Sequence, residues 1–582
     1  MKLNNFFAII GLTVIFSLTS CNDYEDVPIE NYTIDYVFSR TDSLGEKARG
    51  YLLNIYSKMP YGHYRIDKEY LDTASDDGIS SESEGNKDIS KLQTGRYAST
   101  NRIESDMVWG THYEGIRKAN TFIQNIDVVP LKETFNGGIP LNRAWKAEAR
   151  FLRAFFYFEL VKRYGGVPMV NDVYELGADM ELPRNSFEEC IDFIVDELDA
   201  IKDSLRTVPI ANTNANGHVV TKEAAMAFKS RVLLYAASPL FNGKTLDPNN
   251  PLVGYINYDA ERWKKAADAA KWFIDTYGKN GEDKYELIEN FNDIFLNYYD
   301  GSKYKEIIFY RSGSDQNNKD IEKNNGPVGY TGDNEGNGYN SPTQNLVDAF
   351  PMLDGKPIGQ SDKYEYTIDN MYKNRDPRLD STVLHQGSTW LGNTFNIYLG
   401  SSANPNGAAR KTQTGYYLRK FMGKFDEANK YDNVLHIWIS IRYAEILLNY
   451  AEAQNEYAGP SAEVYQAIKD IRHRAKIEEG TDKMYGLKAG MSKDEMREII
   501  QNERRIELAF EEHRYWDIRR WRIAEKIFQQ PLKGYIITKN SGILNYNLVN
   551  VLDSRFEERR YLYPIPYPEV IKNKHMIQNP KW

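Results

Sequence analysis

Along much of the chain, apolar residues recur at helical spacing. Ala144, Ala147, Phe151, Ala154, Phe155, Phe158 and Val161 define one stripe, with Arg150, Arg153, Glu159, Lys162 and Arg163 mostly outside it. Gly165-Gly166 supply a helix stop and Pro168 forbids continuation. An aromatic stripe of this kind needs other helices to bury it. The pattern predicts further helices near 46–59, from Met107 onward, at 186–205, 221–237 and 259–277, and again at 436–457, 461–476, 493–513 and 515–528. They come in pairs with short connections, the arrangement of helix–turn–helix units packed side by side, although no strict 34-residue period is present.

Between about Lys279 and Tyr431 the helical period fades and Gly, Asn, Asp, Ser and Tyr dominate. Asn324–Tyr339 is the clearest long loop, and a long loop inside a compact protein commonly carries function. The expected organisation is therefore a mostly α chain with an irregular, loop-rich subregion at 279–431. Three segments follow: 1–20, 21–278 and 279–582, the last two forming one unit. After Gly534 a mixed tail is expected, extended at Tyr563–Pro568.

Residues 1–20 change the picture at the N-terminus. Lys2 precedes an apolar Phe6–Leu18 run too short for an ordinary membrane span, which reads as an export signal. Leu18-Thr19-Ser20-Cys21 looks like a bacterial lipobox, with cleavage before Cys21 and acylation of that residue, and acidic Asn22–Asp26 follows. Lipid on Cys21 would be the chain's membrane attachment. Cys190 is then the one cysteine left in the body of the protein, so no intrachain disulfide is expected there.

Composition narrows the function classes. The 582 residues carry a net charge of −9 and no Lys/Arg-rich run, which gives nucleic-acid binding no electrostatic support. Aromatic residues make up 13%, with 42 Tyr, a supply that suits both cores and sugar-facing surfaces. The eight histidines are scattered, with no H-E-x-x-H spacing, no C-x-x-C, no phosphate loop and no G-x-S-x-G elbow. Asp333–Gly338 fails as a calcium loop, because Glu335 stands at the third position and Gln344 at the twelfth. Among many carboxylates no glycosidase pair is singled out. Around Arg504 and Arg514–Trp521, charges and aromatics alternate, and Glu507 and Asp517 are expected to pair with arginines while Trp516 and Trp521 pack. No catalytic residue, metal site or cofactor is expected.

Several motifs together resemble one family. They are Ala149–Pro168, Ile441–Ala453, Ile499–Glu511 running on to Trp521, Asn374-Arg375-Asp376-Pro377-Arg378, and the tail Tyr561–Pro566 with Gln578-Asn579-Pro580-Lys581-Trp582. The chain resembles the SusD/RagB family of surface lipoproteins in Bacteroidetes glycan-uptake systems. That resemblance implies a tetratricopeptide-like helical scaffold and a lipid anchor on the outer face of the outer membrane. It also implies a SusC-like TonB-dependent transporter as partner, and capture of an oligo- or polysaccharide without bond cleavage. RagB-like members serve peptide import, which stands as the alternative, with a surface glycoside hydrolase further behind.

The family commonly places sugar-stacking aromatics ahead of the landmark Pro342-Thr343-Gln344-Asn345-Leu346-Val347-Asp348-Ala349-Phe350. Tyr330 and Tyr339, flanking the Gly/Asn-rich loop, are accordingly the expected ligand contacts. Trp390, in another irregular stretch, joins them, with Asn340 and Tyr97 as neighbours.

Overall fold

The computed structural model of the chain describes residues 33–82, 87–135, 138–174, 177–178, 181–207, 219–296 and 305–582. The export signal, Cys21 and the acidic stretch after it lie outside the described residues. Ten helices carry the architecture: α1 (Glu46–Tyr56), α2 (Trp109–Asn125), α3 (Leu141–Tyr164), α4 (Phe187–Ile201), α5 (Lys222–Ala237), α6 (Glu261–Tyr277), α7 (Tyr443–Ala458), α8 (Ala462–Arg474), α9 (Lys493–Glu507) and α10 (Arg514–Arg520). Their starts are written locally. Ser186 and Ser492 form capping boxes with Glu189 and Glu495, and Thr221 and Ser461 cap α5 and α8 by accepting from backbone N–H groups.

The helices pack in sequential pairs. α2 lies on α3, α3 on α4 and α5 on α6, and α7 then packs on α6, α8 and α9. The fold is mostly helical with helix-pair packing, as the periodicity predicts. α3 is more deeply placed than an amphipathic reading implies. Its polar side is buried as well, because Arg153 pairs with Glu197 at 2.7 Å and Arg163 with Glu159 at 2.6 Å and Asp106 at 2.9 Å. A buried charge is tolerable only with such partners. Cys190, on α4, is fully buried, and burial pushes its thiol up to about 12, so it behaves as a small apolar side chain.

Strands among the described residues occur in antiparallel pairs, the three longest being β1 (Gly78–Ser80) with β3 (Asn340–Pro342), β2 (Ile307–Asn318) with β4 (Val434–Arg442), and the hairpin β5 (Leu532–Asn540) with β6 (Ile543–Leu552). Three helix expectations change here. Residues 436–442 are strand, paired with β2 and buried on both faces, with Ile437, Trp438, Ile439 and Ile441 all inside before α7 begins. The helix expected over 493–513 ends at Glu507, and that expected over 515–528 divides into α10 and a short turn at Ala524–Ile527. The tail is extended through Tyr563–Ile565, where Tyr563 donates its backbone N–H to Arg163 O, and a short helix at Tyr567–Lys572 follows.

Two apolar clusters divide the interior. One is built on α1–α9 and the C-terminal tail. The other gathers residues 291–439 with Tyr70, Ile506, Phe510 and Ile537. A buried ionic network sits where they meet. Arg442, at the end of β4, donates to Glu306 at 2.8 Å, Glu507 at 2.6 Å and Glu511 at 2.7 Å. Arg474 of α8 also pairs with Glu306 and Glu507, and Arg378 reaches Glu507 and Glu503. The expectation that Glu507 and Asp517 pair with arginines holds, with Arg504 and Arg520 on Asp517. No helix among the described residues is long and apolar enough to cross a membrane.

Candidate functional site

The Gly/Asn-rich loop is shaped by its own backbone. Asn337 N–H donates to Lys323 O at 2.7 Å, Gly338 to Gly326 O at 2.9 Å and Tyr339 to Asn324 O at 3.0 Å, so the loop closes on the short helix Asp320–Asn325. At its outer end Gly329 adopts φ +90°, and a Cβ there would meet Ser402 O at 2.2 Å. Only glycine allows that approach, and it seats the neighbouring Tyr330 against the 402–405 turn. Tyr330 is partly buried, resting on the second apolar cluster. Burial pushes its hydroxyl up, and a hydrogen bond with Ser402 offsets part of that.

The other expected contacts are placed differently. Tyr339 is buried, and Lys68 and Arg410 stand over its ring at 5.6 Å and 5.2 Å, so cations occupy the face a sugar would need. Asn340 has no exposed surface. Its Oδ1 accepts from Tyr70 N–H at 3.1 Å and Thr73 Oγ1 at 2.7 Å, and its Nδ2 donates to Asn325 Oδ1 at 2.7 Å. It is a clasp between the 70–73 segment and the loop. Trp390 is fully buried, its indole N–H donating to the Tyr431 hydroxyl at 3.1 Å. Tyr97 stacks on Trp582 at 5.6 Å and holds the C-terminal tail. Long-range packing thus makes Trp390, Asn340 and Tyr97 interior residues, and Tyr330 alone of the five offers substantial ring surface.

What lies around the Tyr339 ring is polar and accessible. Arg410 Nη2 donates to Asn337 Oδ1 at 2.9 Å and its Nη1 lies 3.8 Å from Glu82, while Lys68 is exposed. These fixed donors and acceptors are suited to hydroxyl groups. The half-buried Tyr61 and Tyr64 lie on the edge of the same apolar cluster, held by His63, which bonds Tyr70 OH at 2.9 Å and Ile437 O at 3.0 Å. Sequence reasoning missed Lys68, Arg410 and Asn337. Their signal was only a local density of polar residues beside aromatics. Asp333 is engaged by Lys319 at 3.3 Å, and among the described residues no group of three or more His, Cys, Asp or Glu is arranged to hold a metal ion.

Downstream, the landmark segment is fastened from both sides. Thr343 caps the helix Gln344–Ala349, and Arg375 donates to Val347 O at 2.6 Å and Phe350 O at 2.7 Å at the helix end. This is the work of the Asn374–Arg378 motif, and it fixes where the loop ahead of the landmark must emerge.

A helical scaffold bearing such a loop-built polar and aromatic surface defines a binding protein. Residues 305–582 match a family model described as the SusD family, and residues 39–234 match one described as starch-binding associating with outer membrane. Over 98% of its length the chain is 23% identical to SusD-like protein P2 of Formosa agariphila, spanning 99% of that protein. Its fold matches that of a SusD-like protein from Bacteroides fragilis with a TM-score of 0.72 at 26% identity, over 92% of this chain and 97% of that one. A SusD-like carbohydrate binding protein from the same species gives 0.71 at 23% identity, over 91% and 98%. The chain belongs to the SusD/RagB family, as its motifs indicate.

Proposed function

We propose that this protein is a cell-surface lipoprotein that captures an oligo- or polysaccharide and passes it to a SusC-like TonB-dependent transporter in the outer membrane. The observation that carries the reading is the pair of family models, one describing starch binding at the outer membrane over residues 39–234 and the other the SusD family over 305–582. Tyr330 supplies the stacking ring, and Asn337, Arg410 and Lys68 beside Tyr339 bond the hydroxyls. Trp390 and Asn340 act beneath this surface by holding it in place, and Tyr97 holds the C-terminal tail. Lipid on Cys21 anchors the protein facing the exterior, and the helix pairs serve as a tetratricopeptide-like scaffold broad enough for the transporter contact. Capture followed by hand-over needs no bond cleavage. Affinity electrophoresis of protein starting at Asn22, in gels containing plant, host or microbial polysaccharides, tests the reading. Retardation by at least one glycan supports it. A protein that ignores every glycan but binds peptides belongs to the RagB-like alternative, and sugar release from the same glycans would mark an enzyme.

A further inference from the structure

A second concave surface lies on the helical scaffold, on the first apolar cluster, whereas Tyr330 rests on the second. This cleft, of about 790 Å³, opens between the 239–258 segment, the start of α6, the end of α7 and the first half of α9. Its size is within the range that holds small ligands, roughly 300–1,000 Å³.

One wall is a fixed aromatic platform. Tyr258 is 59% exposed, one of the most open rings in the described chain. It lies on Gly243, whose φ of +108° and missing side chain let the ring settle on the backbone, since a Cβ would meet Tyr258 Cδ2 at 3.0 Å. One part of the ring is therefore supported and the remainder is open to the cleft. The segment that carries it is clasped in both directions. Asn242 Nδ2 donates to Asp259 O at 2.9 Å, and Asp259 N–H returns a bond to Asn242 Oδ1 at 2.9 Å. Arg262 adds bonds to Asn242 Oδ1 at 2.9 Å and Asn257 O at 2.8 Å. A ring held this way loses little freedom when a flat partner stacks on it.

The facing wall offers polar atoms at fixed positions, one of them unused. Asn455 has no exposed surface as a residue and lines the cleft. Its Nδ2 donates to Lys493 O at 2.9 Å, while its Oδ1 has no hydrogen-bond partner. Beside it, Arg497 grips Glu456, and Trp521 donates its indole N–H to Glu452 at 2.7 Å. The charged groups lining the cleft are four carboxylates against three cations, and the main ones are already paired, so the cleft has no preference for an anion. An apolar flat face together with hydroxyl donors is the chemistry of an uncharged sugar ring.

We infer that this cleft is a second saccharide site, in which a neutral sugar unit stacks on Tyr258 and bonds its hydroxyls to the polar groups of the facing wall. It rests on the glycan-binding reading and extends it, because a long chain could engage both surfaces and gain avidity that a short fragment lacks. The test uses the soluble protein starting at Asn22 in gels cast with amylopectin, laminarin, galactomannan or arabinoxylan. Tyr258→Ala should lower affinity for a polysaccharide that retards the parent by about tenfold. Tyr258→Phe should keep it, and the melting temperature of both should match the parent, because the ring is largely outside the core. Unchanged retardation of Tyr258→Ala in every such gel overturns the inference while leaving the Tyr330 surface standing. If the parent is retarded by no polysaccharide at all, the glycan reading fails and this site fails with it.

Discussion

Arg442 Nη1 donates to Glu507 Oε1 at 2.6 Å, and both side chains are out of contact with water. The pair joins the end of β4 to the end of α9, where the two apolar clusters meet. Burial alone would raise the Glu507 pKa, yet the guanidiniums of Arg474, Arg442 and Arg378 together hold it well below the ordinary glutamate range. Arg442→Met removes the one cation that Glu507, Glu306 and Glu511 share, leaving Glu306 and Glu507 to Arg474 and Glu511 to Lys420. Breaking a buried pair from one side costs about 3–5 kcal/mol. A fall of several degrees in melting temperature is expected, and a melting curve superimposable on the parent's would show that the network does not hold the two clusters together.

The same network sets an acid limit. The folded-state pKa values of Glu507, Glu511 and Glu503 are lowered, and that of Glu159 falls to about 2 against an ordinary 4.5, through Lys162, Arg163 and His112 acting against burial. At these four positions the unfolded chain binds more protons than the folded one below 4.5, so the stability they contribute above pH 4.5 is lost as pH falls toward 2. Melting temperature measured from pH 7 to pH 3 should be nearly level down to about 5 and then drop steeply. A level profile down to pH 3 would contradict the assignment.

Trp390 and Tyr330, both expected as ligand contacts, should part company on substitution. Trp390→Ala empties a fully buried site and removes the bond to Tyr431, so a loss of about 3–5 kcal/mol in stability is expected. Tyr330→Ala should cost less than Trp390→Ala, because its ring is only partly buried at the edge of the second cluster. Thermal denaturation of the two variants side by side checks this. The reverse order would place Trp390 at the surface.

Why these two rings looked alike in the sequence is a matter of range. Both stand in stretches without helical or strand period, and nothing nearby tells them apart. Trp390 is buried by Tyr431 and Phe425, and Tyr97 by Trp582 at the far end of the chain. The helices were legible because their information is local: caps at Ser186, Thr221, Ser461 and Ser492, and apolar residues at regular spacing. Residues 436–442 were misread because a strand running directly into α7 presents one continuous apolar stretch, and a strand buried on both faces carries no clear alternation to mark it. For the ionic network, Glu507 and Asp517 announced themselves, but Glu306 and Arg442 become its members only through the fold.

Membrane attachment is open to a direct check. Cys21→Ala should leave the protein without acyl chains and release it from the outer membrane, since stable anchoring requires more than one buried chain. Metabolic labelling with a palmitate analogue reads the outcome, and label undiminished in the variant would refute lipidation at Cys21.

Glycan capture at the Tyr330 loop is tested most directly by titrating soluble parent protein and Tyr330→Ala, by calorimetry, with the polysaccharide that retards the parent in affinity gels. Loss of one stacking ring is expected to cost about 1–3 kcal/mol by analogy with base stacking, or about ten- to a hundredfold in affinity. Gly329→Ala, which clashes with Ser402 O and displaces the loop, should reproduce that loss with the far-ultraviolet circular dichroism unchanged. The account predicts saturable binding by the parent and weakened binding by both variants. Binding of the same affinity in all three proteins would contradict it.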